Sequence, residues 1–320
     1  MNSTHGKNKR IVADSMGEME VDADALYGAQ TQRAIDNFPV SGQVMPEDFI
    51  RALVLIKSIA AKTNAELNCL DKNISDAIVS ASSSLLEDPK LMSQFPLDVF
   101  QTGSVSRNNL NSYDFIVNLA YIIFGVTVSP NDDVNMSQSS NDVIPTAIKI
   151  SAHMDLTKKL FPKLDELIKT IEKKAESVKG TIKTGRTHLM DAMPIDFAEE
   201  LIAWSSQLQS SKDMLCILEK KFLELPQGGT AVGSGINAHK QFAKYFAQEM
   251  SKLSGSKCTV SKNFYHELSA QDASVQLSGE LKNLAVMLMK ISNDLRWMNS
   301  GPLAGLSEIC LLYTSDAADE

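Results

Sequence analysis

The chain has 320 residues, enough to bury a full core in two domains or one extended one, and 43% of them are hydrophobic. Its formal charge of −8 argues against nucleic acid or an anionic membrane as partner, since both recruit basic surfaces. The four cysteines Cys69, Cys216, Cys258 and Cys310 are far apart, so neither a disulfide framework nor a zinc site is expected, and a reducing, cytoplasmic compartment is. Residues 1–10 lack the apolar core of a signal peptide, and no run approaches the ~18 apolar residues of a membrane span.

In chain order, the pattern predicts helices over 46–68, opened by Pro46 and acidic residues, and over 75–86, ended by Asp88-Pro89. A short strand is expected at 124–129. Three longer segments then repeat apolar residues by alternating threes and fours. The first covers 150–178, the second steps from Leu201 to Leu225 with Ser211 as its one polar member, and the third runs from Leu277 to Met298. Each puts an apolar stripe on one helix face and must pack against others, because no helix of that length is stable alone. The expected fold is mainly α: an elongated bundle of long helices over 140–309, preceded by a smaller mixed domain over 1–139.

Two polar runs interrupt this scaffold. Ser137-Gln138-Ser139-Ser140-Asn141-Asp142 stands ahead of an apolar helix, and Gly185-Arg186-Thr187-His188 lies in a loop read as ending at Pro194. Hydroxyls and an amide at a helix start suit a small anion, because unpaired N–H groups and the positive dipole end meet there. Plain N-capping by Ser139 or Ser140 is the competing reading. His188 adds a group that moves protons near neutral pH. The run from Gln227 to Gly235 lacks the Gly-Lys-Ser/Thr ending of a phosphate loop and reads as a tight connector between antiparallel helices. His5, His153, His239 and His266 show no metal-ligand spacing, so no metal is expected.

These runs, with Leu26-Tyr27-Gly28-Ala29-Gln30-Thr31-Gln32-Arg33-Ala34, Phe100-Gln101-Thr102-Gly103-Ser104 and Ser300-Gly301-Pro302, carry a resemblance. From about residue 14 to residue 309 the chain resembles the class II fumarases of the fumarase/aspartase superfamily. Ser139-Ser140-Asn141 and Thr187-His188 are similar to the fumarase variant, whereas aspartases usually have Ser-Thr-Asn and Thr-Gln there. The resemblance implies hydration of fumarate to (S)-malate and its reverse through an aci-carboxylate intermediate, without metal or organic cofactor. It also implies a homotetramer whose sites combine residues of three subunits. By the same resemblance Thr102, Ser104, Ser106, Ser139, Ser140, Asn141 and Thr187 bind the dicarboxylate and His188 handles the proton of water. The competing functions are an ammonia-lyase of the same superfamily and a non-catalytic helical assembly protein.

Several positions depart from the family. Val105-Ser106 replaces Gly-Thr, Arg107 follows, and Asp114 stands at a usual glutamate. Ser129 replaces the histidine of a secondary dicarboxylate site, which would otherwise include Asn131 and Asp132. In the family the carbon-bound proton is taken by a serine on a Gly-Ser-Ser-x-Met-Pro-x-Lys-x-Asn loop, and these 320 residues contain no such run. Residues 310–320 resemble the translation of a sequencing adaptor. The expectation is a C-terminally truncated copy with a non-native tail, inactive by itself.

Overall fold

The structure is a computed structural model that describes residues 9–14, 16–101 and 106–310. The chain divides into two compact units, Met1–Asp155 with Lys221–Gln271, and Leu156–Lys220 with Asp272–Glu320. This division differs from the expected boundary near residue 140. The segment after that point keeps packing on the N-terminal helices, and the chain later returns to the same core.

The first unit opens with an antiparallel hairpin, β1 (Lys9–Asp14) and β2 (Gly17–Asp22), which the pattern reading missed. Arg10 ties it down by donating to the carbonyls of Ala25 and Tyr27. Helix α1 (Ala29–Asn37) follows, then α2 (Glu47–Glu66) and α3 (Lys72–Glu87). Asp71 caps α3 by accepting from the N–H groups of Asn73 and Ile74, so this helix starts one turn earlier than expected. α4 (Ser106–Phe124) ends at Gly125, whose φ of +65° suits a helix terminus. The strand expected at 124–129 does not form; after α4 that stretch is unpaired and leads into a π turn, Pro130–Val134.

α5 (Ser140–Asp155), the short β5 (Glu224–Leu225) and β6 (Thr259–Val260), α8 (Phe242–Ser254) and α9 (Phe264–Ser269) complete this unit. Its centre is α2, apolar on nearly every side and packed by α3, α4, α5 and α8. Leu53 and Ile56 of α2, Val143 and Ala147 of α5, and Phe242 and Phe246 of α8 share one core. Burying each such aliphatic or aromatic side chain contributes about 1.5–3 kcal/mol.

The second unit contains α6 (Phe161–Val178), the hairpin β3 (Ile182–Thr187) and β4 (Met190–Asp196), α7 (Phe197–Glu219) and α10 (Asp272–Met298). The seam expected from residue 150 is interrupted by a π turn at Leu156–Leu160. Pro162 explains it: proline has no N–H for the next helical bond, and its ring crowds the preceding turn. On α7 the expected stripe is buried throughout, and Ser211 sits in it because its hydroxyl bonds Glu280 of α10 at 2.8 Å. On α10 only every second stripe residue is buried: Leu277, Leu284, Ile291 and Met298. Leu281 between them is 39% exposed and Met289 60%, so the unit leaves apolar helix surface uncovered. Among the described residues no helix is long and apolar enough to cross a membrane.

Candidate functional site

At the start of α5 the capping alternative is observed directly. Ser139 is the N-cap residue: its hydroxyl accepts from the Asn141 N–H at 3.3 Å, and its own N–H donates to Asp142 Oδ1 at 2.9 Å. This reciprocal pair is a capping box with aspartate in the third position. Asp142 does more than cap. It is fully buried, and its second oxygen accepts from the N–H groups of Gly228 and Thr230 at 3.0 and 2.9 Å. Asn141 Nδ2 adds a bond to the Ala231 carbonyl at 2.6 Å.

The glycine-rich run is therefore a docked strap held by the α5 start, with two of its N–H groups, those of Gly228 and Thr230, spent on a protein carboxylate. Its backbone needs glycine: Gly228 has φ +102°, and a methyl there would lie 2.7 Å from the Ala243 Cβ. Gly228→Ala is expected to cost about 2–3 kcal/mol, from strain and overpacking together. Gly279, on α10 with open space around it, is the contrast: Gly279→Ala should stabilise by about 0.5–1 kcal/mol. Chemical unfolding of the two variants beside the parent chain measures both.

From below, α2 reaches the same segment with polar side chains buried in its apolar sequence. Lys57 Nζ donates to Asn135 Oδ1 at 2.9 Å and Gln138 Oε1 at 3.0 Å, and lies 4.9 Å from the centre of the Tyr113 ring. Asn64 accepts from the Ser137 hydroxyl at 2.9 Å and donates to the Met136 carbonyl, holding Ser137 at its positive φ. Burial pushes the Lys57 ammonium down to about 7, with the Asp142 charge opposing that shift. Burial likewise pushes the Asp142 carboxyl up to about 6, against its three N–H bonds and the Lys57 charge. A buried cation and a buried, multiply bonded anion thus clamp residues 135–142 between α2 and the glycine-rich strap. What stays available to a ligand is the positive end of α5, the second Asn141 amide hydrogen and the Ser140 hydroxyl.

The other predicted groups are placed as follows. Thr102, Ser104 and Val105 lie outside the described residues; Ser106 and Arg107 begin α4. Ser129 caps the π turn, accepting from the Asp132 N–H and donating to the Asp132 carboxylate, while its N–H bonds Asp133. Asn131 and Asp132 are exposed on that turn. Ser129 and its acidic neighbours therefore satisfy one another, which is local turn chemistry. Asp114 is largely buried, accepts from the Gly28 N–H and has its carboxyl pushed up to about 6 by burial.

Thr187 and His188 belong to the second unit. The stretch read as a loop is the β3–β4 hairpin, with Thr187 paired to Met190 and a two-residue turn of His188 and Leu189. Both turn residues have positive φ, +51° and +62°, where glycine or asparagine is the usual occupant. Gly185 is a bulge and not a hinge: the register shifts there, and a Cβ would meet the Met193 carbonyl at 2.5 Å. Behind the turn, Lys183 contacts Glu200 and Glu308, and Arg186 contacts Glu308. Burial works against the Lys183 ammonium, but its two carboxylate partners outweigh it and raise its pKa. A cavity of about 530 Å³ opens beside these residues, lined also by Leu189, Trp297 and Leu306. His188 itself is exposed at the hairpin tip.

A family model described as lyase matches residues 17–316. The chain belongs to this lyase family. It is 50% identical over 300 residues to fumarate hydratase class II 2 of Pseudomonas aeruginosa, covering 94% of this chain and 65% of that protein. It is 48% identical over 309 residues to fumarate hydratase class II of Xylella fastidiosa, covering 97% and 65%. Among solved structures, class II fumarase from Schistosoma mansoni matches with a TM-score of 0.90 at 35% identity, covering 94% of this chain and 67% of that one. The lyase chain thus spans about 65% of the length of these curated relatives.

Lys57, Asn109 and Tyr113 are the groups of this lyase chain that the pattern reading passed over, and Asp142 entered it only as the end of a polar run. Lys57 carried the one usable signal, a lysine inside the otherwise apolar stretch Ala52-Leu53-Val54-Leu55-Ile56-Lys57-Ser58-Ile59-Ala60-Ala61. Such a residue either snorkels or anchors a polar network.

Proposed function

We propose that this chain carries the anion-binding helix start and the proton-handling histidine of a class II fumarate hydratase. The reaction is the reversible hydration of fumarate to (S)-malate through an aci-carboxylate intermediate. The observation that carries the reading is the α5 start, where Ser140 and Asn141 present donors at a positive helix end while Lys57 and Asp142 hold the backbone rigid. Such preorganised donors stabilise the charge that develops when a proton leaves the carbon beside a carboxylate. Thr187 adds a hydroxyl, and His188 exchanges the proton of the attacking or departing water. Thr102, Ser104 and Ser106 are assigned to the same dicarboxylate.

The apolar surface left open on α7 and α10 supports self-association, and a homotetramer in the cytoplasm is the proposed working form. The proton-abstracting serine is assigned to a loop of the family type, which these 320 residues do not contain. Two polypeptides test this reading. The 320-residue chain by itself is expected to show no turnover of malate. A chimera joining residues 1–309 to the C-terminal third of the Pseudomonas aeruginosa relative is expected to form tetramers and convert malate, leaving aspartate untouched. Turnover of aspartate by the chimera would replace the hydratase reading with the ammonia-lyase one. A folded tetramer without turnover of either would leave the assembly-protein reading.

A further inference from the structure

The β3–β4 hairpin that carries His188 is held to its unit by charge more than by apolar packing. Nearly every residue of β4 is exposed, and on β3 only Lys183, Gly185 and Arg186 are shielded from water. A two-stranded hairpin with so little burial is marginal by itself. At its base the Phe197 N–H donates to the Thr181 carbonyl, and Asp196 accepts from the Gly180 N–H. Further along β3 the ties are ionic. Lys183 meets Glu200 of α7 and, at 2.6 Å, Glu308; Arg186, two residues before His188, meets the same Glu308 carboxylate. Among the described residues, no ion pair or side-chain hydrogen bond stands closer in sequence to the turn than Arg186–Glu308.

Glu308 is itself anchored from behind. After α10 the chain turns back, and the Glu308 and Ile309 N–H groups both donate to the carbonyl of Met298, the buried last residue of that helix. The Ser307 N–H closes the same loop by donating to the Ser300 carbonyl. The Glu308 side chain is 13% exposed and that of Arg186 25%, so water competes weakly with the pair. Burial works against the Glu308 carboxylate, but Lys183 and Arg186 outweigh it and keep its pKa below the ordinary range. Two cations thus face two carboxylates and the four charges cancel. Arg186 adjoins Thr187 and His188, yet its guanidinium is engaged in tying β3 to the end of α10.

We propose that Glu308 is a positioning residue for His188: through Arg186 it tethers the exposed hairpin to the end of α10 and so fixes the turn from which the histidine exchanges its proton. The inference rests on the proton-handling role proposed for His188.

Amide hydrogen exchange of the 320-residue chain tests the tether, and turnover by the chimera tests its use. Glu308→Gln keeps the shape and removes the charge, so exchange in peptides spanning residues 184–192 is expected to quicken about ten-fold, with α7 and α10 unchanged. Glu200→Gln takes one carboxylate from Lys183 but leaves Arg186 paired, and should quicken the same peptides by about two-fold at most. Unchanged exchange in Glu308→Gln, equal effects from the two variants, or faster exchange throughout the second unit overturns the tether. In the chimera, Glu308→Gln is expected to lower kcat about ten-fold with KM within about two-fold. Adding Arg186→Gln should lower kcat no further, because both changes remove one tie. A kcat that stays at the parent value, losses that multiply, or a raised KM in Arg186→Gln alone overturns the proposal, the last two by making Arg186 a substrate ligand. A His188→Asn chimera separates this inference from the reading beneath it. If that chimera turns over like its parent, the proton-handling role of His188 falls by itself, and exchange alone decides the tether.

Discussion

Asp142→Ala is expected to lower the unfolding free energy by about 3–5 kcal/mol, because one carboxylate satisfies three backbone N–H groups from two chain segments. The Gly228 and Thr230 donors would remain buried without an acceptor, and Lys57 would lose its nearest opposite charge. Denaturant unfolding of parent and variant gives the difference directly. Its pH dependence carries a definite sign. In the folded chain Asp142 titrates at about 6, above its ordinary 3.8, so between those values the folded state holds a proton that the unfolded state has released. The contribution of the group grows as pH falls from about 6 to 3.8 and is constant above about 6, where the carboxylate is ionised in both states. The parent–variant gap should thus be wider at pH 5 than at pH 8. A gap that is constant, or wider at pH 8, would show that Asp142 does not titrate as its burial requires.

His188→Asn in the chimera is expected to reduce kcat by about 10²–10⁴-fold while leaving KM within a few-fold, the size of effect expected for a general acid–base group. Asparagine is the informative replacement because the turn demands positive φ at residue 188, and asparagine adopts that conformation readily. It keeps the hairpin and removes the ring that carries the proton. Leu189→Gly is the matched control: it relieves the second left-handed residue and should stabilise the second unit without a comparable loss of kcat. Equal losses from both variants would mean that the hairpin tip matters for its shape alone.

Much of this scaffold was legible in local spacing. The stripe from Leu201 to Phe222 is buried residue by residue, and the helix after Pro46 and the break at Asp88 stand as read. The α10 stripe was legible as a period but not as a degree of burial: its alternate members wait for surfaces that one chain does not supply. The hairpins were not legible, because β3 and β4 are exposed on most positions and so lack a clean inside–outside alternation. The candidate site divides the same way. Ser139, Ser140, Asn141 and His188 stood out by type and position, and Lys57 only as a lone lysine in an apolar run, whereas Asn109 and Tyr113 sat inside a helical run with nothing local to distinguish them from surface or core residues.

By itself the sequence determined where helices begin and break and which polar run opens α5, because caps, prolines and apolar periods act within a few residues of each other. Only the tertiary structure decided that Asp142 would be dehydrated beneath the glycine-rich strap, that Lys57 would be buried opposite it, and that an asparagine from α4 would meet Ser140. Desolvation and the direction of a hydrogen bond depend on what the rest of the chain brings alongside, and residue spacing along one segment carries no record of that.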